Sequence, residues 1–197
     1  LSRRAVVLLF GAAVLLKITY LLDYAQALPF LSGPIFDSQV YLAQAAAVRS
    51  GRFSDATLLA FSPLYGYFLA ALRSPLFAVL AQLALGVGNL VLLYRLCKPL
   101  FGPTAALLSA TLCAGYGALL CNESKILSET LGFSLGLLTL ALYLSAGFRA
   151  GRVVLGVAAG AALGLAILAR ASLLFCFPFF GVCASLPWGR AERALGR

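Results

Sequence analysis

The chain of 197 residues contains no histidine. That removes the commonest general base and the commonest transition-metal ligand. Acid–base chemistry must therefore fall on six carboxylates: Asp23, Asp37, Asp55, Glu123, Glu129 and Glu192. Charge is scarce throughout, at 11% of residues, where soluble domains carry roughly 25%. No two of the five cysteines (Cys97, Cys113, Cys121, Cys176, Cys183) have CxxC spacing, which removes support for a zinc site or a thioredoxin-like motif. They lie mostly inside apolar runs and read as small core residues. Internal repeats and low-complexity linkers are absent, and no short apolar run precedes a small-residue cleavage site, so a cleaved secretory signal is not expected.

Hydrophobic residues are plentiful, at 62%, and the apolar runs approach the roughly 20 residues a bilayer-spanning helix needs. The chain reads as an all-α polytopic membrane protein, one domain over 1–197. The net charge of +9 does not point to nucleic acid, because no polar face suits a duplex. Lysines and arginines cluster between apolar spans instead. Six spans are expected: Ala5–Leu22, Leu76–Leu96, Thr104–Leu120, Ile126–Ala146, Val153–Ala169 and Leu173–Leu186. Gly102-Pro103 marks a turn between the second and third.

This division sorts the charges. With the N-terminus inside, Arg3, Arg4, Arg95, Lys98, Arg149, Arg152, Arg190, Arg193 and Arg197 are cytoplasmic, nine of the fifteen basic residues, as the positive-inside rule requires. The opposite face collects Asp37, Asp55, Glu123 and Glu129, with Arg49, Arg52, Lys125 and Arg170. Lys17, near the exit of the first span, is expected to snorkel to the headgroups.

The long polar loop over 23–75 stands out on that extracytoplasmic face. After Gly33-Pro34 a helix is expected from Asp37, with Asp37, Tyr41, Gln44 and Val48 on one face and Val40, Ala43 and Ala47 on the other. It is too polar to span and suits the interface plane. Ser50-Gly51-Arg52 stops it. Pro63 opens a short apolar segment, Leu64–Leu72, which Arg73-Ser74-Pro75 interrupts.

A carboxylate on this face can deprotonate a hydroxyl, and an arginine or lysine can hold a phosphate. Together they suggest group transfer from a lipid-linked phosphate. Each residue also has a plainer account. Asp37 can be a helix N-cap and Asp55 a turn residue. Glu123 and Lys125 can be interface groups solvated by headgroups. Glu129 is expected about a turn inside its helix, within reach of Ser128 and Lys125, and Arg170 can snorkel. Tyr65 and Tyr67 suit an interfacial aromatic belt, and Gly156, Gly160 and Gly164 a helix-packing ladder.

The ordered set resembles the GT-C membrane glycosyltransferases, in the protein mannosyltransferase and aminoarabinose transferase branch. It comprises FDSQVYLAQAAAVRSGRFSD, then SPLYGYFLAAL, SKILSETLGFSLGLLTLALYL and GLAILARASLLFCFP. The matching positions are Asp37, Tyr41, Gly51-Arg52-Phe53, Pro63-Leu64-Tyr65, Glu129, Arg170 and Pro178. Many relatives have a second acid where Ser38 stands, and such enzymes usually have more spans. The resemblance implies transfer of a sugar from a polyprenyl-phosphate donor to a lipid, glycan or protein acceptor, with inversion, at the extracytoplasmic face of a bacterial inner membrane or its equivalent. By position, Asp37 is the implied catalytic base. Arg170 and Lys125 are implied to bind the lipid phosphate, and Glu129 to shape or polarise the cavity. Tyr41 and Tyr65 complete the implied substrate-binding set.

The chain is accordingly expected to be the N-terminal half of such an enzyme. The alternatives are a catalytically inactive scaffold or accessory subunit working with a partner chain, and a transporter of lipid-linked intermediates. For a transporter, charges deeper in the spans are expected. No cofactor is required by the residues, although a carboxylate pair would accept a divalent cation.

Overall fold

The computed structural model describes residues 3–27, 37–54, 56, 61–146, 153–176 and 178. Among the described residues it is helical throughout, with α1 (Arg3–Ala27), α2 (Asp37–Arg49), α3 (Pro63–Leu72), α4 (Pro75–Ala114), α5 (Gly117–Ser124), α6 (Glu129–Ala146) and α7 (Val153–Ala169), then a 3₁₀ turn at Ala171–Phe175. Among the described residues three helices are long and apolar enough to cross a membrane: α1 over Val6–Asp23, α4 and α6. α7, with 17 residues, extends about 25 Å at 1.5 Å per residue, just short of the hydrocarbon thickness.

The packing suits helices that meet in lipid. Buried positions are dominated by alanine, as at Ala45, Ala78, Ala106, Ala110, Ala159, Ala162, Ala166 and Ala169. Large side chains point outward instead, including Val7, Leu8, Leu112, Val154 and Val157. Small residues inside let backbones approach, so association rests on close van der Waals contact rather than on removing bulk from water. Among the described residues, no helix packs against Gly156, Gly160 and Gly164. All three are exposed and a Cβ on any of them would meet nothing within 4 Å. The buried stripe of α7 is its alanines.

The helix breaks follow their residues. Gly102 has φ +86 and ψ 167, a conformation open to glycine and closed to most side chains, and it divides α4 ahead of Pro103. That is the turn expected there. The third expected span is itself divided: α4 ends at Ala114, Gly115 and Tyr116 intervene, and α5 begins at Gly117. Of the sixth, residues 173–175 are 3₁₀ rather than α, and 177 and 179–186 lie outside the described residues. α6 begins at Glu129, three residues later than expected, because Lys125 to Ser128 form a turn closed by Leu127 N–H donating to the Lys125 carbonyl at 3.0 Å.

α2 and α3 pack against each other, and α3 also packs on α4 and α7. Tyr41, Ala45 and Val48 of α2 meet Tyr65, Leu69 and Ala70 of α3, with Ala78 and Ile126 beneath. Gly51, at φ +85, stops α2 where expected. The helix turns Tyr41, Gln44 and Val48 inward and leaves Val40 and Ala43 exposed, but Ala47, expected on their face, is buried too. α1 packs on α4 and α5, and α6 lies between α4 and α7.

Candidate functional site

The turn between α5 and α6, residues 125–128, is where the loop helices and the bundle meet. Ser38 Oγ donates to the Ile126 carbonyl at 3.1 Å, and Tyr41 Oη donates to Ser128 Oγ at 3.0 Å. Ser38, standing where relatives of the resembled family have an acid, thus pins the start of α2. Asp37 is the first residue of that helix and is exposed. A carboxylate there is stabilised by the partial positive charge of the helix N-terminus.

Tyr65 is fully buried, edge-on to Tyr41 with ring centroids 4.7 Å apart, and its hydroxyl donates to Gln82 Oε1. Burial pushes its phenol well above the ordinary tyrosine range, with smaller contributions in the same direction from Tyr41 and Glu129. It therefore stays a hydrogen-bond donor. Phe61 and Phe68 close the aromatic cluster. Ser62 lies beside it in a left-handed conformation, φ 47 and ψ 61, ahead of Pro63. That conformation is uncommon without a glycine.

Glu129 and Arg170 are brought together as an ion pair between Oε1 and Nη1. Glu129 opens α6 rather than lying a turn inside it, and its partner is Arg170, not Ser128 or Lys125 as expected. Arg170 sits where α7 gives way to the 3₁₀ turn, and its Nε donates to Ser172 Oγ at 3.1 Å. α6 accommodates it because residue 132 is glycine: a Cβ there would lie 3.1 Å from Arg170 Cβ. Lys125 follows α5 with a half-buried side chain, its carbonyl accepting from Gln82 Nε2.

Gln82 is one of three buried residues that the sequence reading passed over. Gln82, Gly86 and Asn89 follow i, i+4, i+7 spacing on α4 and share one face. Gln82 Nε2 also reaches the carbonyls of Glu123 (3.0 Å) and Asn122 (3.5 Å), and Asn89 Nδ2 donates to Ser134 Oγ on α6 at 2.9 Å. Polar side chains recurring at helical spacing inside a long apolar run were the available signal. Carbonyls left open at the end of α5 need such partners.

Lys17 and Glu123 correct a second expectation. Neither is solvated by headgroups. They form a buried ion pair with side chains 4% and 5% exposed. Lys17 lies roughly 9 Å along the helix axis from Asp23, at 1.5 Å per residue. The Glu123 carboxylate fills the place where Gly86 has no side chain.

The structure therefore gathers Tyr41, Tyr65, Lys125, Glu129 and Arg170 around one turn, with Asp37 beside Ser38 at its rim. Asp23 is exposed at the end of α1, and Asp55 and Glu192 lie outside the described residues. Among the described residues no three His, Cys, Asp or Glu side chains converge in a way that would hold a metal ion. No protein-family model, curated protein or solved structure matches this chain.

Proposed function

We propose that the chain is a GT-C-type glycosyltransferase domain that moves a sugar from a polyprenyl-phosphate donor to an acceptor at the extracytoplasmic membrane face. The observation that supports this reading is that Ser38, next to the exposed Asp37, and Tyr41 both hydrogen-bond to the turn leading into α6, whose first residue, Glu129, pairs with a partly enclosed Arg170. Asp37 takes the proton from an acceptor hydroxyl or amine. The freed electron pair attacks the anomeric carbon from the face opposite the phosphate. The bond from that carbon to the phosphate oxygen breaks, and polyprenyl phosphate leaves with its electron pair, inverting the configuration. Arg170 and Lys125 hold the charge that develops on the leaving phosphate. The six-span topology with a cytoplasmic N-terminus belongs to the same proposal and rests on the charge partition.

Transfer itself is the test. Protein in liposomes is supplied with a polyprenyl-phosphate sugar and a mixture of lipid and peptide acceptors. Activity that falls by a factor of about 10²–10⁴ in Asp37→Asn, the usual worth of a general base, supports the reading. Transfer unchanged by Asp37→Asn contradicts Asp37 as the base, and no transfer by the wild type favours an accessory scaffold.

One observation favours a second reading. The buried Lys17–Glu123 pair places charge inside the first span, as expected of a transporter of lipid-linked intermediates. Facilitated movement of a fluorescent lipid phosphate across liposomes, lost in the double variant Lys17→Met with Glu123→Leu at a temperature where it is folded and retained in Asp37→Asn, would favour that reading instead.

A further inference from the structure

The backbone of Arg170 is held in place without Glu129. Its N–H donates to the Ala166 carbonyl at 2.8 Å, and its own carbonyl accepts from Leu173 N–H at 3.0 Å. Its Cβ lies against the space left by Gly132. A guanidinium carries five N–H donors in a planar fork, and the contacts with Glu129 and Ser172 are made by Nη1 and Nε. The side chain is 41% exposed, so an incoming group can reach it.

Glu129 is less completely engaged. Oε1 meets Arg170, while Oε2 is buried with no hydrogen-bond partner among the described residues. A carboxylate with one oxygen unsatisfied is poorly compensated for its lost hydration. Because its side chain is 30% exposed and it occupies the first position of α6, it can turn towards solvent without breaking a helix hydrogen bond.

We propose that Glu129 is a displaceable internal counter-ion. It neutralises Arg170 in the empty site and gives way when a lipid-borne phosphate takes the guanidinium. The proposal rests on the reading of Arg170 as the phosphate grip. A phosphate oxygen pair matches the guanidinium fork at two points, whereas the Glu129 contact uses one carboxylate oxygen. In the empty site the pair also removes the cost of an uncompensated cation near the apolar region.

Titration of farnesyl phosphate into the full chain in detergent micelles, with farnesol as the control for micelle partitioning, tests both levels. Glu129→Gln is expected to bind about fivefold more tightly than the wild type, the upper end of what a partly exposed ion pair withholds. Glu129→Ala is expected to move the same way and covers a residual hydrogen bond from Gln. Arg170→Gln is expected to weaken binding at least tenfold. Thermal melts fix a temperature at which each protein is folded. Wild-type affinity in Arg170→Gln would overturn the phosphate-grip reading. Weakened binding in Arg170→Gln, with equal or weaker binding in both Glu129 variants, would overturn the counter-ion proposal and leave that reading standing.

Discussion

Gly86 leaves the space that the Glu123 carboxylate occupies: a Cβ on Gly86 would lie 2.3 Å from Glu123 Cδ and 2.3 Å from Oε1. Lys17 meets the same carboxylate from α1. Three helices, α1, α4 and α5, are joined at one buried point. One turn earlier on α4, Gln82 holds the carbonyls at the end of α5. The turn that presents Glu129 is thus fixed from below by polar contacts.

Gly86→Ala is expected to destabilise the protein by about 1–3 kcal/mol, the usual cost of overpacking. The carboxylate is the movable end of a side chain, but moving it breaks the pair with Lys17. In a Glu123→Ala background the same substitution should cost little. Thermal or denaturant unfolding of the two singles and the double gives the coupling.

Lys17→Met leaves Glu123 buried without its partner, and a loss of about 3–5 kcal/mol is expected. Lys17→Met with Glu123→Leu should be more stable than Lys17→Met alone, because no buried charge remains. Equal stability of the single and double variants would mean the two residues do not form the pair described.

The raised Tyr65 pKa has a stability consequence at high pH. Its folded-state value lies above its unfolded value near 10, so above that pH the folded state binds more protons than the unfolded chain. Stability should therefore fall as pH rises beyond about 10, by about 1.4 kcal/mol per pH unit from this group alone. Tyr65→Phe removes that slope and costs about 1–3 kcal/mol at neutral pH, because the buried Gln82 Oε1 loses its donor. Unfolding measured at pH 8 to 11 for both proteins checks the difference.

Much of the loop was legible because its signals are local. Asp37 starting α2, Gly51 ending it, Pro63 opening α3 and Gly102 dividing α4 each follow from the residue at that position. Arg73, at φ 61, ends α3 where the charge interrupts the apolar run. The ion pairs were not legible. Lys17 and Glu123 are 106 positions apart, and an isolated lysine near a span end looks like a snorkelling one. Glu129 and Arg170 were placed on the same face by charge partition, which carries no pairing information. The break at Gly115 was hidden because glycine is common inside membrane helices. The glycine ladder of α7 misled for a related reason: small residues mark close packing only where another helix lies against them.

The proposed topology makes an independent prediction. In a background with the native cysteines replaced, Arg52→Cys should react with a membrane-impermeant maleimide added outside intact cells. Lys98→Cys should react only after permeabilisation. The reverse pattern would invert the membrane orientation and move Asp37 to the cytoplasmic face.

Single-turnover transfer from a polyprenyl-phosphate sugar, compared between the wild type and Asp37→Asn at saturating donor, isolates the role of Asp37 as the base. The rate in Asp37→Asn is expected to be at least about a hundredfold lower, with donor affinity and melting temperature unchanged. A wild-type rate in that variant would contradict that role.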